Sequence, residues 1–336
     1  MLIIMNSSAT DAELAEVNNA IQTLGFTPVP VPGPTRTAIC ITGNQGAVEE
    51  SFFTRLSGVK EVIRVTKSYK LVSREVHEHD TVIAVGEVRI GGDNPTVFMA
   101  GPCSVETEER TLEIARQVKK AGAQIFRAGA YKPRTSPYAF QGMGIEGLKI
   151  LAKVRNETGL KIITEVVDTE SCDAVADYTD ILQIGTRNMY NYSLLKKAGK
   201  LKKPVMLKRG MSATVEEWLN CAEYIMMGGN TEVILCERGI RTFSQHSRNT
   251  LDLNVVPVIR ELSHLPVVVD PSHGVGQRKF IRQMSRAALA SGSQGLIIET
   301  HNDPNTAYSD GAQTIDVETF SGIVKDAQIL MGLDKI

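Results

Sequence analysis

The sequence predicts an α/β protein in which a (β/α)8 TIM barrel follows a small ferredoxin-like (βαββαβ) domain. From about residue 95 onward, eight short apolar segments alternate with amphipathic segments of helical spacing. This alternation is typical of a closed parallel sheet, whereas a six-stranded open sheet would leave two of the eight strands unused. The first 65 residues instead show the order strand, helix, strand, strand, helix, strand, which is the ferredoxin-like order.

Composition excludes several classes of protein. The 336 residues carry a net charge of −1, so no overall field favours nucleic acid as a partner. No apolar run reaches the roughly 20 residues of a membrane-spanning helix, and the start of the chain lacks the basic flank of a signal peptide. The five cysteines are an odd number without a CxxC pair, so we expect no disulfide framework. We expect a cytoplasmic protein without membrane or nucleic-acid partners.

The N-terminal elements follow from apolar spacing and turn residues. "LIIM" predicts a strand, and the helix after it can be capped by Thr10 or Asp11 and ended by Gly25. "FTPVPV" and "TAICITG" predict two strands around a turn, "AVEESFFTRLSG" a second helix, and "VKEVIRV" a last strand. We therefore expect a ferredoxin-like domain over 1–65, a linker and β-hairpin at the barrel base over 66–94, and the barrel over 95–336.

The eight predicted barrel strands bring charged residues to one edge. They are "TVFMAG", "QIFRAGA", "KIITEVV", "DILQIGT", "PVMLKRG", "EVILCERG", "PVVVDPSH" and "GLIIETH". In such barrels the active site lies at the carboxyl ends of the strands, so we ask which side chains stand there.

The first group at this edge is cationic, and its members lie in or just after apolar strands. Six like charges that converge on one pocket are costly unless anions bind there, and guanidinium groups grip phosphate and carboxylate bidentately. More than one anionic group is therefore expected. The group consists of Arg127, Lys132, Arg134, Arg187, Lys208 and Arg238.

The second group combines a thiol, an imidazole and two carboxylates. Cys103, His273, Glu299 and Asp310 follow strands one, seven and eight, which become neighbours when the barrel closes. This donor set suits a borderline divalent ion such as Mn, Fe, Co or Zn, and Mg alone would rarely recruit a cysteine. A buried cysteine beside a hydrogen-bonded histidine explains the same spacing, so both interpretations stay open at this point.

The segment "KPRTSP" after the second strand places Lys132, Arg134, Thr135 and Ser136 where Pro133 and Pro137 disfavour a helix. Two cations and two hydroxyls in five positions can form a phosphate cradle. An ordinary exposed basic loop has the same composition.

These strand ends together resemble 3-deoxy-D-arabino-heptulosonate-7-phosphate (DAHP) synthase. The motifs are "AGPCSVE", "KPRTSPYAFQGMG", "QIGTRNM", "LKRG" and "DPSHGVG", and they span nearly the whole barrel. The ferredoxin-like segment ahead of them is similar to the type I subtype that carries a small N-terminal regulatory domain. The resemblance implies the first step of the shikimate pathway, in which phosphoenolpyruvate, erythrose 4-phosphate and water give DAHP and phosphate.

The resemblance also implies roles for individual residues. One divalent metal ion would bind to Cys103, His273, Glu299 and Asp310. Phosphoenolpyruvate would bind to Arg127, Lys132, Gln183, Arg187, Lys208 and Arg238, and the aldose phosphate to Pro133, Arg134, Thr135 and Ser136. Lys132 is expected to donate a proton or hydrogen bond to the developing alkoxide, and Glu165 and Asp270 are candidates for handling water and orienting groups.

Two alternatives remain beside this interpretation. The sister enzyme, 3-deoxy-D-manno-octulosonate 8-phosphate synthase, uses arabinose 5-phosphate and has a loop like "KANRS", whereas Pro133 here favours the four-carbon aldose. A non-catalytic amino-acid sensor is the other. The resemblance further implies a homotetramer, and we hypothesise that tyrosine or phenylalanine binds to residues 1–65 as a feedback effector.

Overall fold

The computed structural model describes residues 1–33, 36–43, 48–63, 67–133, 136, 138 and 140–333. The chain divides into two compact units. The first comprises residues 1–80 with 261–264, and the second comprises residues 81–260 with 265–336.

The N-terminal unit contains, in its described part, a four-stranded antiparallel sheet in the order β2-β3-β1-β4. This order is that of the split βαβ pattern and confirms the ferredoxin-like prediction. The elements are β1 (Leu2–Met5), α1 (Asp11–Thr23), β2 (Thr27–Pro32), β3 (Thr37–Thr42) and β4 (Val59–Ile63).

Helix α1 begins and packs as its residues predict. Thr10 forms a capping box with Glu13, in which the Thr10 hydroxyl accepts from the Glu13 amide and the Glu13 carboxylate accepts from the Thr10 amide. Val17 and Ile21 are fully buried against the inner face of the sheet, in one core with Ile3. Burial of this apolar stripe gives a helix of 13 residues most of its stability.

The predicted second helix of this unit is wrong over most of its length. Among the described residues of this segment, from 48 onward, a single 3-10 turn forms over Glu50–Phe52, and Gly58 has a positive φ of 76°. Serine, phenylalanine and threonine have modest helix propensity. Of the two adjacent phenylalanines only Phe53 is buried, so the segment has too narrow an apolar face to hold a longer helix.

Residues 67–80 group with the N-terminal unit. Leu71 and Val72 are buried, and Ser73 forms an antiparallel bridge to Ser263. Residues 64–66 are outside the described part of the chain, so the domain boundary near residue 65 stays a prediction.

The second unit is a closed barrel of eight parallel strands in the part of the chain that is described. The order runs β7 to β14 around the barrel, and β14 pairs with both β7 and β13 to close it. All eight predicted strands and the barrel itself are confirmed. The strands are β7 (Val97–Gly101), β8 (Ile125–Arg127), β9 (Lys161–Val166), β10 (Ile181–Ile184), β11 (Val205–Lys208), β12 (Val233–Glu237), β13 (Val267–Val269) and β14 (Gly295–His301).

Helices connect these strands, and a short strand β15 (Ile315–Asp316) pairs in parallel with the last two residues of β14. No helix of the described residues has the length and apolar character needed to cross a bilayer. The helices are α2 (Glu108–Lys120), α3 (Gly144–Thr158), α4 (Cys172–Tyr178), α5 (Tyr192–Lys200), α6 (Val215–Met227), α7 (Val255–Leu262), α8 (Pro271–Val275), α9 (Ile281–Ala290) and α10 (Val317–Leu333).

One end of the barrel is sealed by the predicted hairpin, which consists of β5 (Ile83–Val85) and β6 (Val88–Ile90). Its four apolar side chains share one buried core with residues near the amino ends of the barrel strands, such as Ile125, Ile181 and Ile234. Because this end is filled with apolar groups, polar side chains that point into the barrel gather at the opposite, carboxyl end.

Candidate active site

The carboxyl ends of the barrel strands surround a cavity of about 360 Å3. Its walls carry many more polar than apolar groups, as expected for a site that binds charged ligands. Of the residues that the sequence predicted, the lining includes Arg127, Lys132, Pro133, Glu165, Gln183, Arg187, Lys208, Arg238, His273 and Asp310.

Beside this cavity lies a group of three side chains that we call the acid–thiol cluster, namely Cys103, Glu299 and Asp310. One donor atom from each lies within 4.8 Å of the others. The Cys103 thiol donates to Asp310 Oδ2 at 3.0 Å, and His273 Nε2 approaches Glu299 Oε1 to 3.5 Å. The four predicted ligand side chains therefore meet in one place, although they come from four separate segments of the chain.

Electrostatics in this cluster favours a bound cation. Burial, together with the charges of Glu299 and Asp310, raises the pKa of the Cys103 thiol to about 12, although Lys132 opposes the shift. Burial would also raise the pKa of Glu299, but His273 and Arg127 hold it below its usual value. Two ionised carboxylates beside a buried thiol repel further negative charge, and a divalent ion would relieve that repulsion and take the thiolate as a ligand.

Asp270 joins the imidazole to the cationic wall. Its Oδ2 accepts from His273 Nδ1 at 2.7 Å and from Lys208 Nζ at 2.5 Å, and Oδ1 caps the first turn of α8. Burial by itself would raise the pKa of Asp270, but the charges of His273 and Lys208 hold it well below its usual range. An ionised Asp270 only accepts, so Nδ1 of His273 carries a proton, and Nε2 is the ring nitrogen that faces Glu299.

Arg127 lies between the acid–thiol cluster and the cavity. Its NH1 donates to Glu299 Oε1 at 3.1 Å and to the carbonyl of Pro102 at 3.0 Å. Its Nε is buried and has no hydrogen-bond partner within the described part of the chain. A buried donor without a partner costs about 1–3 kcal/mol, so an anionic ligand at this position would be stabilised.

Arg238 is a second buried cation whose charge has no close carboxylate partner among the described residues. It is 4% exposed, and its NH1 makes one long hydrogen bond of 3.4 Å to the carbonyl of Gly239. Burial lowers the pKa of Arg238, and the charge of Asp270 only partly opposes this. A buried guanidinium without a carboxylate at hydrogen-bond distance among the described residues can donate to a phosphate and bind it.

Glu165, like Asp310, contributes a carboxylate to the lining of the cavity. Gln183 Nε2 approaches its Oε2 to 3.5 Å. Gly185 leaves room for this carboxylate, because a Cβ there would come within 2.8 Å of Glu165 Cδ. The absence of a side chain at position 185 thus lets Glu165 lie in the cavity.

The segment "KPRTSP", predicted to form a phosphate cradle, lies partly within the described residues. Lys132 donates to the carbonyl and to Sγ of Cys103 at 3.0 and 2.9 Å, which links this loop to the acid–thiol cluster. Arg134 and Thr135 lie outside the described residues. Ser136 is exposed, and its hydroxyl accepts from the Tyr138 amide at 3.3 Å.

Sequence reasoning missed the cations of the loop after β12, residues 240–250, which we call the strap loop. Arg241, Arg248 and Asn249 line the cavity, and backbone hydrogen bonds between Ile240 and Thr250 close the loop at its base. No strand immediately precedes these residues, so a search of strand ends passes over them. Two arginines shortly after "CERG" were the available signal.

Asp310 stands in an unusual backbone conformation. With a φ of 55°, it is the only residue other than glycine that has a positive φ in the described part of the chain. Aspartate tolerates this left-handed region better than most residues, but the conformation still costs energy. Such strain is common at functional sites, and here it turns the Asp310 carboxylate toward Cys103.

Comparison with known proteins gives matches over nearly the whole chain. Residues 67–332 match the DAHP synthetase I family, and residues 1–67 match the DAHP synthase ferredoxin-like domain. A phospho-2-dehydro-3-deoxyheptonate aldolase of Thermotoga maritima is 46% identical over 330 residues, which cover 98% of this chain and 97% of the relative. A 2-dehydro-3-deoxyphosphooctonate aldolase of Syntrophotalea carbinolica is 36% identical over 76% of this chain and 96% of its own.

The fold matches as well. The crystal structure of the phospho-2-dehydro-3-deoxyheptonate aldolase (DAHP synthase) of Thermotoga maritima has a TM-score of 0.79 at 44% identity, and the match covers 99% of this chain and 97% of that one. The resemblance inferred from the strand-end motifs is thereby confirmed.

Proposed function

Because this chain belongs to the DAHP synthetase I family, we propose that it condenses phosphoenolpyruvate with D-erythrose 4-phosphate and water to give DAHP and phosphate. The observation that carries this proposal is the direct contact between the cationic cavity and the acid–thiol cluster. Arg127 touches both, since it donates to Glu299 and lines the cavity. A site of this kind can hold an anionic substrate next to a metal-bound partner.

Phosphoenolpyruvate carries a phosphate and a carboxylate, and the cavity offers more than one cation for each. We assign its binding to six residues and the aldose phosphate to the adjoining loop. The buried, uncompensated donors of Arg127 and Arg238 support the first assignment. The six residues are Arg127, Lys132, Gln183, Arg187, Lys208 and Arg238, and those of the loop are Pro133, Arg134, Thr135 and Ser136.

The donor set fits one divalent ion held by Cys103, His273, Glu299 and Asp310. When bound, an ion such as Mn, Fe, Co or Zn supplies Lewis acidity to the aldehyde oxygen of the aldose. The thiol and imidazole argue against Mg alone. Asp270 holds the His273 ring in the tautomer that a metal ligand needs, through the hydrogen bond to Nδ1.

The chain's own residues then serve the condensation. C3 of phosphoenolpyruvate forms a bond to the aldehyde carbon, and Lys132 donates a proton or hydrogen bond to the oxygen that develops negative charge. Water adds at C2, and cleavage of the C–O bond releases phosphate. Glu165, with its carboxylate in the cavity, is the candidate for receiving a proton from that water.

The test is an assay of the purified protein with phosphoenolpyruvate and each of two aldose phosphates, erythrose 4-phosphate and arabinose 5-phosphate. We expect phosphate release and a new 3-deoxy sugar acid with the first aldose, abolished by chelation and restored by Mn2+. Preference for arabinose 5-phosphate would assign the sister reaction. No product with either aldose, at any of several divalent metals, would support the non-catalytic sensor.

We further propose that the ferredoxin-like unit binds an aromatic amino acid, tyrosine or phenylalanine, that inhibits the barrel, and that the protein assembles as a homotetramer. The separate folding of a unit that barrel chemistry does not require supports the regulatory role. Inhibition should disappear when residues 1–65 are deleted while turnover persists, and inhibition that survives the deletion would refute the assignment. Light scattering of the full chain measures the subunit number.

A further inference from the structure

Two side chains outside the predicted site connect the carboxylates of the acid–thiol cluster. Gln313 Nε2 donates to Glu299 Oε2 at 2.6 Å, and Arg248 NH1 donates to Gln313 Oε1 at 2.6 Å. The same Arg248 NH1 approaches Asp310 Oδ1 to 3.4 Å. Glu299 and Asp310 are thus joined through one amide and one guanidinium.

The chemistry of the partners fixes the orientation of the Gln313 amide. An ionised carboxylate only accepts hydrogen bonds, and a guanidinium only donates them. The NH2 group must therefore face Glu299, and the carbonyl oxygen must face Arg248. Neither a carboxylate nor an ammonium at position 313 could make both bonds, because one cannot donate and the other cannot accept.

The bonds divide the carboxylate oxygens into two sets. Gln313 and Arg248 occupy Oε2 of Glu299 and Oδ1 of Asp310. The other two oxygens face the cluster, since Glu299 Oε1 lies 3.5 Å from His273 Nε2 and Asp310 Oδ2 lies 3.0 Å from Cys103 Sγ. Glu299 Oε1 also accepts from Arg127 NH1 at 3.1 Å, and its second lone pair is left for a metal ion. Each carboxylate therefore presents one oxygen to a metal ion and has the other fixed from behind.

Gln313 and Arg248 are themselves held in place. Gln313 is 2% exposed, and its backbone amide donates to the carbonyl of Asp310 at 3.1 Å. Arg248 belongs to the strap loop, whose Asn249 side chain donates to the carbonyl of His273 at 2.9 Å. The Arg248 amide also donates to the carbonyl of Val275 at 2.9 Å. The strap loop thus contacts the segments that carry two of the four proposed ligands, His273 and Asp310.

We propose that Gln313 is a positioning residue that sets Glu299 and Asp310 for ligation through one oxygen each, with Arg248 as the link between them. The inference rests on the proposed metal site. Such partners behind metal ligands orient the donor atoms, and their loss typically weakens metal binding about 10- to 100-fold. Because Arg248 also lines the cavity, it places the cavity wall in direct contact with the metal ligands.

The experiment is a Co2+ titration of the full-length, chelator-stripped protein, followed by the thiolate-to-cobalt charge-transfer absorption and its dissociation constant. Gln313→Leu keeps a similar volume and removes both bonds, so we expect Kd to rise about 10- to 100-fold with an altered ligand-field spectrum. The matched control is Gln294→Leu, because the Gln294 side chain likewise makes two hydrogen bonds, but at the opposite end of the barrel: it accepts from the Val267 amide and donates to the carbonyl of Gly92. The control should leave Kd and spectrum unchanged.

The outcomes separate the two levels of the proposal. A wild-type protein that shows no charge-transfer band would refute the metal site itself. A normal wild-type band with an unchanged Kd and spectrum in folded Gln313→Leu would overturn only the positioning role. Should that variant fail to fold, Arg248→Met decides, since the Arg248 side chain is 42% exposed and tolerates replacement. We expect the Kd of Arg248→Met for Co2+ to be about tenfold higher than that of the wild type. A Kd and spectrum equal to those of the wild type would overturn the inference.

Discussion

Asp270→Asn removes one charge from the centre of the site and leaves the shape of the side chain. Asp270 is 1% exposed and Lys208 is 4% exposed, so their ion pair is almost fully withdrawn from water. With an amide at position 270, the Lys208 ammonium stays buried without a carboxylate, and one carbonyl oxygen replaces the two oxygens that accept from Lys208 and from His273.

The expected loss of stability follows from the geometry. At an effective dielectric constant of about 20, charges 2.5 Å apart attract by about 7 kcal/mol. Removal of Asp270 also removes its own desolvation cost of several kcal/mol, which offsets part of this loss. The lowered pKa of Asp270 indicates that attraction exceeds desolvation, although burial opposes it. We therefore expect the variant to lose about 3–5 kcal/mol of unfolding free energy.

Trp218, the single tryptophan of the chain, is buried in the barrel and reports its unfolding in urea by fluorescence. The matched control is Glu146→Gln, which breaks an exposed Lys149 ion pair of similar length, 2.7 Å, and should cost less than about 1 kcal/mol. If both variants lost the same small amount of unfolding free energy, the reasoning would be refuted, because burial would then not change how much an ion pair contributes to stability. Metal affinity should fall only in the Asp270 variant.

Three further predictions concern separate parts of the molecule. Cys103→Ser should keep the fold but lose metal-dependent turnover, and full activity with a normal metal Kd would remove Cys103 from the ligand set. Arg238→Lys should raise the KM for phosphoenolpyruvate at least tenfold in steady-state assays, because an ammonium cannot form the bidentate contact; an unchanged KM would argue against phosphate at this position. In the N-terminal unit, burial, opposed by a hydrogen bond to the Leu71 carbonyl, lowers the pKa of His264 from 6.5 to about 4. Below pH 6.5 the unfolded chain binds a proton that the folded unit excludes, so stability should fall by about 3 kcal/mol between pH 6.5 and 4. Denaturation of wild type and His264→Gln across this range measures the effect, and identical pH dependence of the two would contradict it.

The barrel was predictable from sequence for a simple physical reason. Strands that are buried on both faces must be apolar throughout, so "TVFMAG" and "GLIIETH" are visible without knowledge of their neighbours. Polar groups at the ends of such strands then fall on one edge, which brings Cys103 and Glu299 together although 196 positions separate them. Local composition and topology suffice for this part of the site.

Side-chain direction was less accessible to sequence. Lys208 and Arg209 are adjacent cations at the end of β11, yet Lys208 lines the cavity, whereas Arg209 bonds to Glu237 and Asp252. Successive side chains of a strand point to opposite faces, and only the registered sheet tells which face is which. The prediction of a second helix in the N-terminal unit was wrong for a related reason. A longer helix would have needed Phe52 to be buried by the rest of the fold, and Phe52 is exposed.

Apolar runs and turn residues were enough to predict both folding units, and strand-end chemistry was enough to predict a cation-lined site with a thiol and carboxylates. The pairing of Gln313 with Glu299, the bond from Arg248 to that amide and the left-handed backbone of Asp310 emerged only when the chain was folded. Hydrogen bonds act over about 3 Å and depend on direction, so the partners of a polar group are decided by the packing that brings distant segments together.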